Sequence, residues 1–139
     1  IHVLNRTVDR AESACRLASM AAVGITDDIG RADLVINASS LGMGVDPKKA
    51  TLDDVACDPR LLQPHQIVAD LVYHPLTTAW LARAAEVGAR TVDGLGMLIH
   101  QAALQQLAWI GRMPDISVMR AAAEAALAAR EPGPTDTSR

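Results

Sequence analysis

Apolar residues in this chain form short continuous runs, and these alternate with longer amphipathic stretches. A continuous apolar run is typical of a strand in a parallel sheet that is buried on both faces. The longer stretches are rich in Ala, Leu, Glu and Arg, which favour helix. The pattern predicts strands at 1–4, 23–26, 33–38, 67–72 and 90–92. It predicts helices at 8–20, 77–87, 97–110 and 115–130, and either a polar turn or a single helical turn at 27–31.

Residues at the ends of these stretches mark element boundaries and the extent of the domain. Thr7 offers an N-cap hydroxyl to the first helix, and Gly88 suits the left-handed position that ends a helix. The alternation favours a doubly wound parallel α/β sheet flanked by helices, with a helical pair at its C-terminal end. The length fits one domain, which we expect over residues 1–130. The polar segment 131–139, with two prolines and a glycine, is predicted to be a disordered tail.

Composition narrows the classes of function. Half of the residues are hydrophobic, but aromatics make up only 2% and Phe is absent, so the core is built from aliphatic residues. The net charge of −3 gives no support to nucleic-acid binding, which normally uses a basic stripe. No apolar run approaches the roughly 18 residues of a membrane span. The His and Cys residues show no metal-ligand spacing. The sequence therefore predicts a cytoplasmic protein without a metal site.

The first predicted strand ends in a pattern that suits a phosphorylated dinucleotide. In a dinucleotide-binding fold the end of the second strand faces the adenosine ribose, where a carboxylate favours NAD and an arginine accommodates the 2′-phosphate of NADP. Here Asn5 stands at the strand end, and Arg6 and Arg10 lie four residues apart, so both guanidinium groups are able to face one anion. The pattern favours NADP. Because this strand opens the chain, the first strand of such a fold and its glycine-rich loop are expected to be missing.

Two polar side chains further along are candidates for a ligand site. Tyr73, the single tyrosine, directly follows a predicted strand, and Pro75 favours extended geometry in the residue before it, which would help to fix this loop at a cleft. Gln101 lies four residues after Met97 and three before Leu104, which places it on the apolar stripe of its helix. A buried amide without partners costs about 1–3 kcal/mol. We therefore expect neighbouring backbone or a ligand hydroxyl to satisfy Gln101.

Four segments together resemble one protein family. They are Asn5–Arg10, Ile36–Met43, Asp70–Pro75 and Asp93–Ala103, and in order and spacing they resemble the shikimate dehydrogenase family. The match runs from Ile1 to about Pro114, and the tyrosine–proline motif followed by Asp-Gly-Leu-Gly-Met-Leu is its most specific part. The resemblance implies a Rossmann-like fold that lacks its first strand. It also implies reversible NADP-dependent oxidation of shikimate to 3-dehydroshikimate, a step of aromatic amino-acid biosynthesis.

The resemblance also implies roles for individual residues. Those expected to hold the adenosine 2′-phosphate are Asn5, Arg6, Thr7 and Arg10. Those expected to lie along the rest of the cofactor are Ser39, Ser40, Leu71 and Gly94. The substrate contacts implied are Tyr73 and Gln101. The family's catalytic lysine and aspartate belong to an N-terminal substrate domain with no counterpart here, so no catalytic residue is assigned and the chain alone is expected to be inactive.

Other interpretations stay open from sequence alone. A quinate/shikimate dehydrogenase, which sometimes prefers NAD, is a close variant. The arginine pair argues against a preference for NAD, but it does not argue against quinate as the substrate. A non-catalytic NADP-binding module belongs to a different class, and a helix-on-sheet domain with coincidental motifs is a third. Shikimate or 3-dehydroshikimate and the missing N-terminal domain are the expected partners. Monomer and homodimer both remain open, because the family includes both.

Overall fold

The computed structural model describes residues 1–129, and the predicted tail at 131–139 lies outside them. The strands are β1 (His2–Val3), β2 (Ala22–Val23), β3 (Leu34–Asn37), β4 (Ile67–Asp70) and β5 (Arg90–Val92). The α-helices are α1 (Val8–Cys15), α2 (Ala79–Val87), α3 (Gly94–Ile110) and α4 (Ile116–Ala128). Short 3₁₀ helices span Thr26–Arg31, Leu52–Asp54 and Pro59–Leu61. The alternation predicted from the apolar pattern is confirmed.

The strands form two separate parallel sheets instead of one. β1 pairs with β2, and β3, β4 and β5 pair in that order. In a doubly wound sheet the first strand lies between the second and the fourth. Within residues 1–129, β1 pairs only with β2, and β3 pairs only with β4. If β1 and β3 are taken as the second and fourth strands, as the resemblance implies, the break between the two sheet fragments falls where the first strand would lie.

The prediction that the strands are buried on both faces is wrong outside β4, since both residues of β2 and all three of β5 are exposed. In β3, Leu34 and Ile36 are each 51% exposed, and Ile1, just before β1, is 77% exposed. A strand without a neighbour on one edge is only partly covered by the helices packed on its sheet. By contrast Val68, in the central strand β4, is fully buried. Burial therefore follows position in the sheet more than the apolar pattern does.

The main core packs α2 against β4. Trp80 and Leu81 from α2 are 1% and 3% exposed and belong to one cluster with Val68. Gln66 is buried just before β4, and its Nε2 donates to the carbonyls of Ile29 and Ala32 at 2.6 and 2.7 Å. These bonds tie the 3₁₀ helix after β2 to the central strand. They satisfy a polar side chain that would otherwise be costly to bury.

A second, smaller core joins the two C-terminal helices. Leu95 and Ile99 of α3 pack with Leu127 of α4, and Tyr73 and Leu76 pack against this cluster. The predicted helical pair is confirmed. This core lies directly beside the loop that follows β4, so the pair supports the edge of the sheet where the candidate site lies.

The first helix was predicted to end at residue 20 but ends at Cys15, and capping residues account for other differences from the prediction. The Thr7 hydroxyl accepts no capping bond; instead Asn5 Oδ1 accepts a bond from the Thr7 amide at 2.9 Å. α3 begins at Gly94, three residues earlier than predicted, because Asp93 Oδ1 accepts bonds from the amides of Leu95 and Gly96. Gly88 ends α2 with φ of 94°, as predicted.

Asp28 links β1 to the segment that follows β2. Its Oδ2 lies 2.8 Å from His2 Nδ1 and accepts a bond from the Ile25 amide at 2.9 Å, and its Oδ1 pairs with Arg31. The Ile25 amide first, and then Arg31, hold the pKa of Asp28 below its usual value of 3.8. A carboxyl group with a lowered folded-state pKa stabilises the fold above pH 3.8, and this contribution is lost as pH falls through the folded-state value.

We expect Asp28→Asn to lower the melting temperature at pH 7, with the difference from the parent shrinking as pH falls below about 4. Thermal melts between about pH 2 and pH 7 would measure this. Asp27→Asn is the matched control, because Asp27 is exposed and forms no ion pair or side-chain hydrogen bond within residues 1–129. A deficit for Asp28→Asn that stays constant over the whole range would contradict the assignment.

Candidate functional site

The loops after β3 and β4 meet at one edge of the three-stranded sheet, namely the edge formed by the carboxyl ends of its strands. The amide of Leu71 donates to the carbonyl of Asn37 at 3.0 Å, and the amide of Gly44 donates to the carbonyl of His74 at 2.8 Å. Because the strands are parallel, both loops lie at carboxyl ends, where ligands bind in open α/β sheets. The polar segments singled out after these two strands are thus brought together.

The N-terminus of α3 is pressed against the loop after β4. A Cβ on Gly94 would lie 2.5 Å from the carbonyl oxygen of Leu71 and 2.6 Å from that of Val72. Real Cβ atoms essentially never approach backbone so closely, so only glycine fits here. Leu71 and Gly94, both predicted to lie along the cofactor, are therefore in direct contact. The protein's own backbone, and not only a ligand, requires a glycine at this position.

Tyr73 lies between this edge and the small helical core. It is partly buried and packs against the cluster of Leu95 and Ile99. The following His74–Pro75 peptide bond is cis. A shallow groove of about 230 Å³ runs beside the tyrosine and is lined by Leu98, Ala126 and others from α3 and α4. The ring is thus supported on an apolar surface, next to the loops that meet at the sheet edge.

Ser39 and Ser40 are exposed at the start of the loop after β3. The amide and hydroxyl of Ser39 both donate to Asn37 Oδ1, at 3.0 and 2.7 Å, and its hydroxyl accepts a bond from the Leu41 amide. The Ser40 carbonyl accepts a bond from the Met43 amide at 3.2 Å. Ser39 therefore stabilises the loop through its side chain, whereas Ser40 does so through its backbone carbonyl.

A buried polar network beneath these loops was not found from the sequence. Asn37 and Asp70 are the last residues of β3 and β4, and together with Thr78, the N-cap of α2, they are 1–3% exposed. Asp70 Oδ1 accepts bonds from Asn37 Nδ2 at 2.9 Å and from the Val72 amide at 3.0 Å. Asp70 Oδ2 accepts a bond from the Thr78 hydroxyl at 2.7 Å. The sequence did contain one signal of this network, because each of the two apolar strands ends in a polar residue, Asn37 or Asp70.

The Asn5–Arg10 segment follows β1 and belongs to the other sheet fragment. Arg6 and Arg10 are exposed, and neither forms an ion pair with a carboxylate of residues 1–129. Asn5 holds the Thr7 amide, which turns the chain into α1. No hydrogen bond within the described residues connects this segment to the loops after β3 and β4. The segment shares their carboxyl-end position but makes no direct contact of this kind.

The prediction that Gln101 is buried on the apolar stripe of its helix is wrong. Gln101 is exposed, and Leu104 on the same predicted stripe is 58% exposed. The face of α3 that packs inward carries Leu95, Ile99 and Ala103, at i, i+4 and i+8. Because α3 is apolar on most of its circumference, periodicity selected a neighbouring face. The argument from an unsatisfied buried amide therefore fails, and the substrate contact of Gln101 stays a prediction.

Neither a metal cluster nor a membrane-spanning helix occurs in residues 1–129. No group of three His, Cys, Asp or Glu side chains in this range is placed to hold a metal ion. None of the helices described there combines the length and apolar character needed to cross a membrane.

The parallel strands flanked by helices, with loops joined at their carboxyl ends, define a Rossmann-like α/β domain. Residues 94–124 match the family model described as the shikimate 5′-dehydrogenase C-terminal domain. The NADP(+)-dependent shikimate dehydrogenase of Nitrobacter hamburgensis is 42% identical over 134 residues, covering 91% of this chain and 45% of that protein. That of Pyrococcus abyssi is 40% identical over 124 residues, covering 86% and 44%. The chain belongs to the shikimate dehydrogenase family.

Solved structures agree in fold. The chain superimposes on shikimate 5-dehydrogenase from Thermus thermophilus in complex with NADP(H) and shikimate with a TM-score of 0.79 and 34% identity. Quinate dehydrogenase from Corynebacterium glutamicum in complex with NAD gives 0.77 and 30%. These matches cover 91% and 89% of this chain and 46% and 45% of the solved chains. The chain thus spans about half the length of its relatives. The predicted family and fold class are confirmed.

Proposed function

We propose that this chain is the NADP-binding part of a shikimate dehydrogenase, an oxidoreductase that reversibly reduces 3-dehydroshikimate to shikimate. One observation carries the proposal. The start of α3 at Gly94 packs directly against the backbone of Leu71 and Val72, in the loop that carries Tyr73. The relatives matched across this region are named shikimate dehydrogenase (NADP(+)).

The cofactor side of the proposal depends on charge. Arg6 and Arg10 are exposed cations without a carboxylate partner among residues 1–129, and an arginine pair of this kind suits a phosphate monoester. In the proposal these two residues, with Asn5 and Thr7, hold the adenosine 2′-phosphate of NADP. Ser39 and Ser40 line the cofactor further along, and their small side chains allow the backbone to approach it.

Around the nicotinamide and the substrate, residues of the loop after β4 and of α3 position the two ligands. In the proposal Leu71 and the main chain at Gly94 lie against the nicotinamide, which supplies the two-electron redox chemistry when bound. Tyr73 and Gln101 hold the substrate through their hydroxyl and amide groups. None of these residues is proposed to transfer the substrate proton.

The chain alone is expected not to turn over shikimate. A proton-transfer group has to lie within near-contact distance of the reacting carbon, together with both ligands. The resemblance places the proton-transfer lysine in an N-terminal substrate domain. The only lysines of this chain are Lys48 and Lys49, which are consecutive in the loop after β3, and Lys49 Nζ lies 3.8 Å from Asp46 Oδ2. An assay of the isolated chain with NADP and shikimate would check this expectation. Measurable turnover would contradict it.

The direct test of the proposed function uses the protein that the complete gene encodes. Fluorescence or calorimetric titration should give tighter binding of NADPH than of NADH, and NADP-dependent oxidation of shikimate should be measurable. Binding of neither coenzyme would refute the proposal and favour a domain without a dinucleotide site. Coenzyme binding without oxidation of shikimate or quinate would favour a non-catalytic NADP-binding module.

A quinate/shikimate dehydrogenase is the second candidate. It is supported by the similar fold match to the C. glutamicum quinate dehydrogenase, with a TM-score of 0.77 beside 0.79. The ratio of kcat/KM values for quinate and shikimate separates the two. A ratio above one would replace the first candidate by the second.

The proposal also extends to location and assembly. We propose that the protein works in the cytoplasm, and that it occurs either as a monomer or as a homodimer. Fractionation of source cells and sedimentation of the purified protein test these two points.

A further inference from the structure

A single buried carboxylate connects the two loops of the candidate site. Asp70 is 1% exposed, and both of its oxygens are occupied. Its Oδ1 bonds Asn37, at the start of the loop after β3, and also the Val72 amide, in the loop after β4. Its Oδ2 bonds the hydroxyl of Thr78, which caps α2 by accepting a bond from the Leu81 amide.

We propose that Asp70 and Thr78 are positioning residues, which hold the Ser39 loop and the Tyr73 loop in one fixed arrangement. The inference rests on the proposed function, in which one loop lies along the cofactor and the other along the substrate. Neither residue touches a ligand in this proposal. Both act through the loops that they hold.

The bonds on the cofactor side are continuous. Asn37 Nδ2 donates to Asp70 and also to the carbonyl of Leu41 at 3.2 Å, while Asn37 Oδ1 accepts both bonds from Ser39. The conformation of residues 39–41 is therefore set by an amide that the Asp70 carboxylate orients. Without that carboxylate, the Asn37 side chain loses one of the four hydrogen bonds that fix its rotation.

Thr78 contacts the same loop by packing. Gly42 is buried with φ of 86°, and a Cβ at this position would lie 3.4 Å from the carbonyl oxygen of Asp54 and 3.7 Å from the Cβ and Cγ2 atoms of Thr78. The threonine methyl thus lies beneath the turn after β3 while its hydroxyl reaches Asp70. One side chain contacts the Gly42 turn, the Asp70 carboxylate and the first turn of α2.

Stability alone does not account for a carboxyl group here. Asp70 forms no ion pair within residues 1–129, and burying its polar oxygens costs desolvation free energy that an apolar group of similar shape would not incur. What the carboxylate provides and an apolar group does not is three directional bonds, which reach both loops and the start of α2. Small misplacements of reacting groups slow catalysis by large factors, so a fixed loop geometry bears directly on rate.

Thr78→Val tests the inference in the protein that the complete gene encodes. It removes the hydroxyl and keeps nearly the same shape. We expect kcat for shikimate oxidation to fall on the order of tenfold or more, with a smaller change in the Kd for NADPH. Thr78→Ser keeps the hydroxyl and should restore a kcat close to that of the parent.

Thr51→Val is the matched control. The Thr51 hydroxyl also accepts a bond from a backbone amide, that of Asp53, and donates to a carboxylate, that of Asp54. It is exposed, lies further along the connection between β3 and β4 than the Ser39–Gly44 turn, and forms no side-chain bond to that turn or to the Tyr73 loop. Its replacement removes the same two bonds and should leave kcat unchanged. The concentration of folded protein is measured from the stoichiometry of NADPH binding, and kcat is calculated per folded molecule. Partial unfolding of a variant therefore does not lower its kcat.

Hydrogen exchange gives a measurement that does not depend on turnover. In Thr78→Val the amides of Ser39, Leu41 and Val72 should exchange faster than in the parent, and in Thr51→Val they should not. Parent-like kcat and exchange in Thr78→Val would overturn the inference while the proposed function stands. A parent that neither binds NADPH nor oxidises shikimate would overturn the proposed function and this inference with it, whatever the exchange rates.

Discussion

Gly94→Ala is expected to destabilise the protein by about 2–3 kcal/mol, the upper part of the range for overpacking a filled site. The new methyl group would lie 2.5 and 2.6 Å from the carbonyl oxygens of Leu71 and Val72, which are backbone atoms and cannot rotate away. Either α3 shifts outward or the loop after β4 does. Both movements separate Tyr73 from the start of α3, so binding of the nicotinamide half of the coenzyme should weaken as well.

Gly96→Ala is the control for this change, two residues along the same helical turn. There a Cβ would meet only Arg120 Nη2, at 3.9 Å. Replacing glycine by alanine in a helix gains about 0.5–1 kcal/mol when nothing is displaced. Denaturant unfolding of both variants should therefore give shifts of opposite sign. A Gly94→Ala variant as stable as the parent would show that the close contact does not exist in solution.

The positions of most elements could be predicted, because each short strand is marked by its own apolar run. Residues 90–92 were predicted as a strand and form β5. Helix ends were less accurate where a side chain changed the boundary, as Asp93 does for α3. The division of the sheet between β1 and β3 followed from the expected absence of a first strand. The exposure of Leu34 and Ile36 did not, since it depends on what lies beside the strand.

The positions that make up the candidate site could be singled out from the sequence only in part, and the reasons differ between residues. Leu71, Tyr73 and Gly94 stand out locally, because each follows a strand or opens a helix. The bond between Asn37 and Asp70 joins residues 33 positions apart, so no local pattern announces it. Gln101 was misplaced because α3 is apolar on most sides, which leaves several faces equally suited to the core. Pairings between distant residues and the choice of a buried face both require the folded chain.

Arg6→Ala is expected to weaken NADPH binding by about 10- to 100-fold, the equivalent of one or two charge-assisted hydrogen bonds. The affinity for NADH should hardly change, because NADH has no 2′-phosphate for the guanidinium to bind. Arg6 is exposed and forms no ion pair within residues 1–129, so its removal should cost little stability. The preference for NADPH over NADH should also fall as salt rises, since exposed charges are screened.

Arg16→Ala is the control that removes the same charge at the other end of α1. Arg16 follows the last residue of that helix, and its Nη2 donates to the Ser13 hydroxyl at 2.7 Å, so it is not placed at the end of β1. If general electrostatic attraction held the coenzyme, both variants would lose NADPH affinity equally. If Arg6 binds the 2′-phosphate directly, only Arg6→Ala loses the preference, and adding Arg10→Ala enlarges the loss. Equal weakening of NADPH and NADH by Arg6→Ala would mean that the end of β1 does not recognise the extra phosphate.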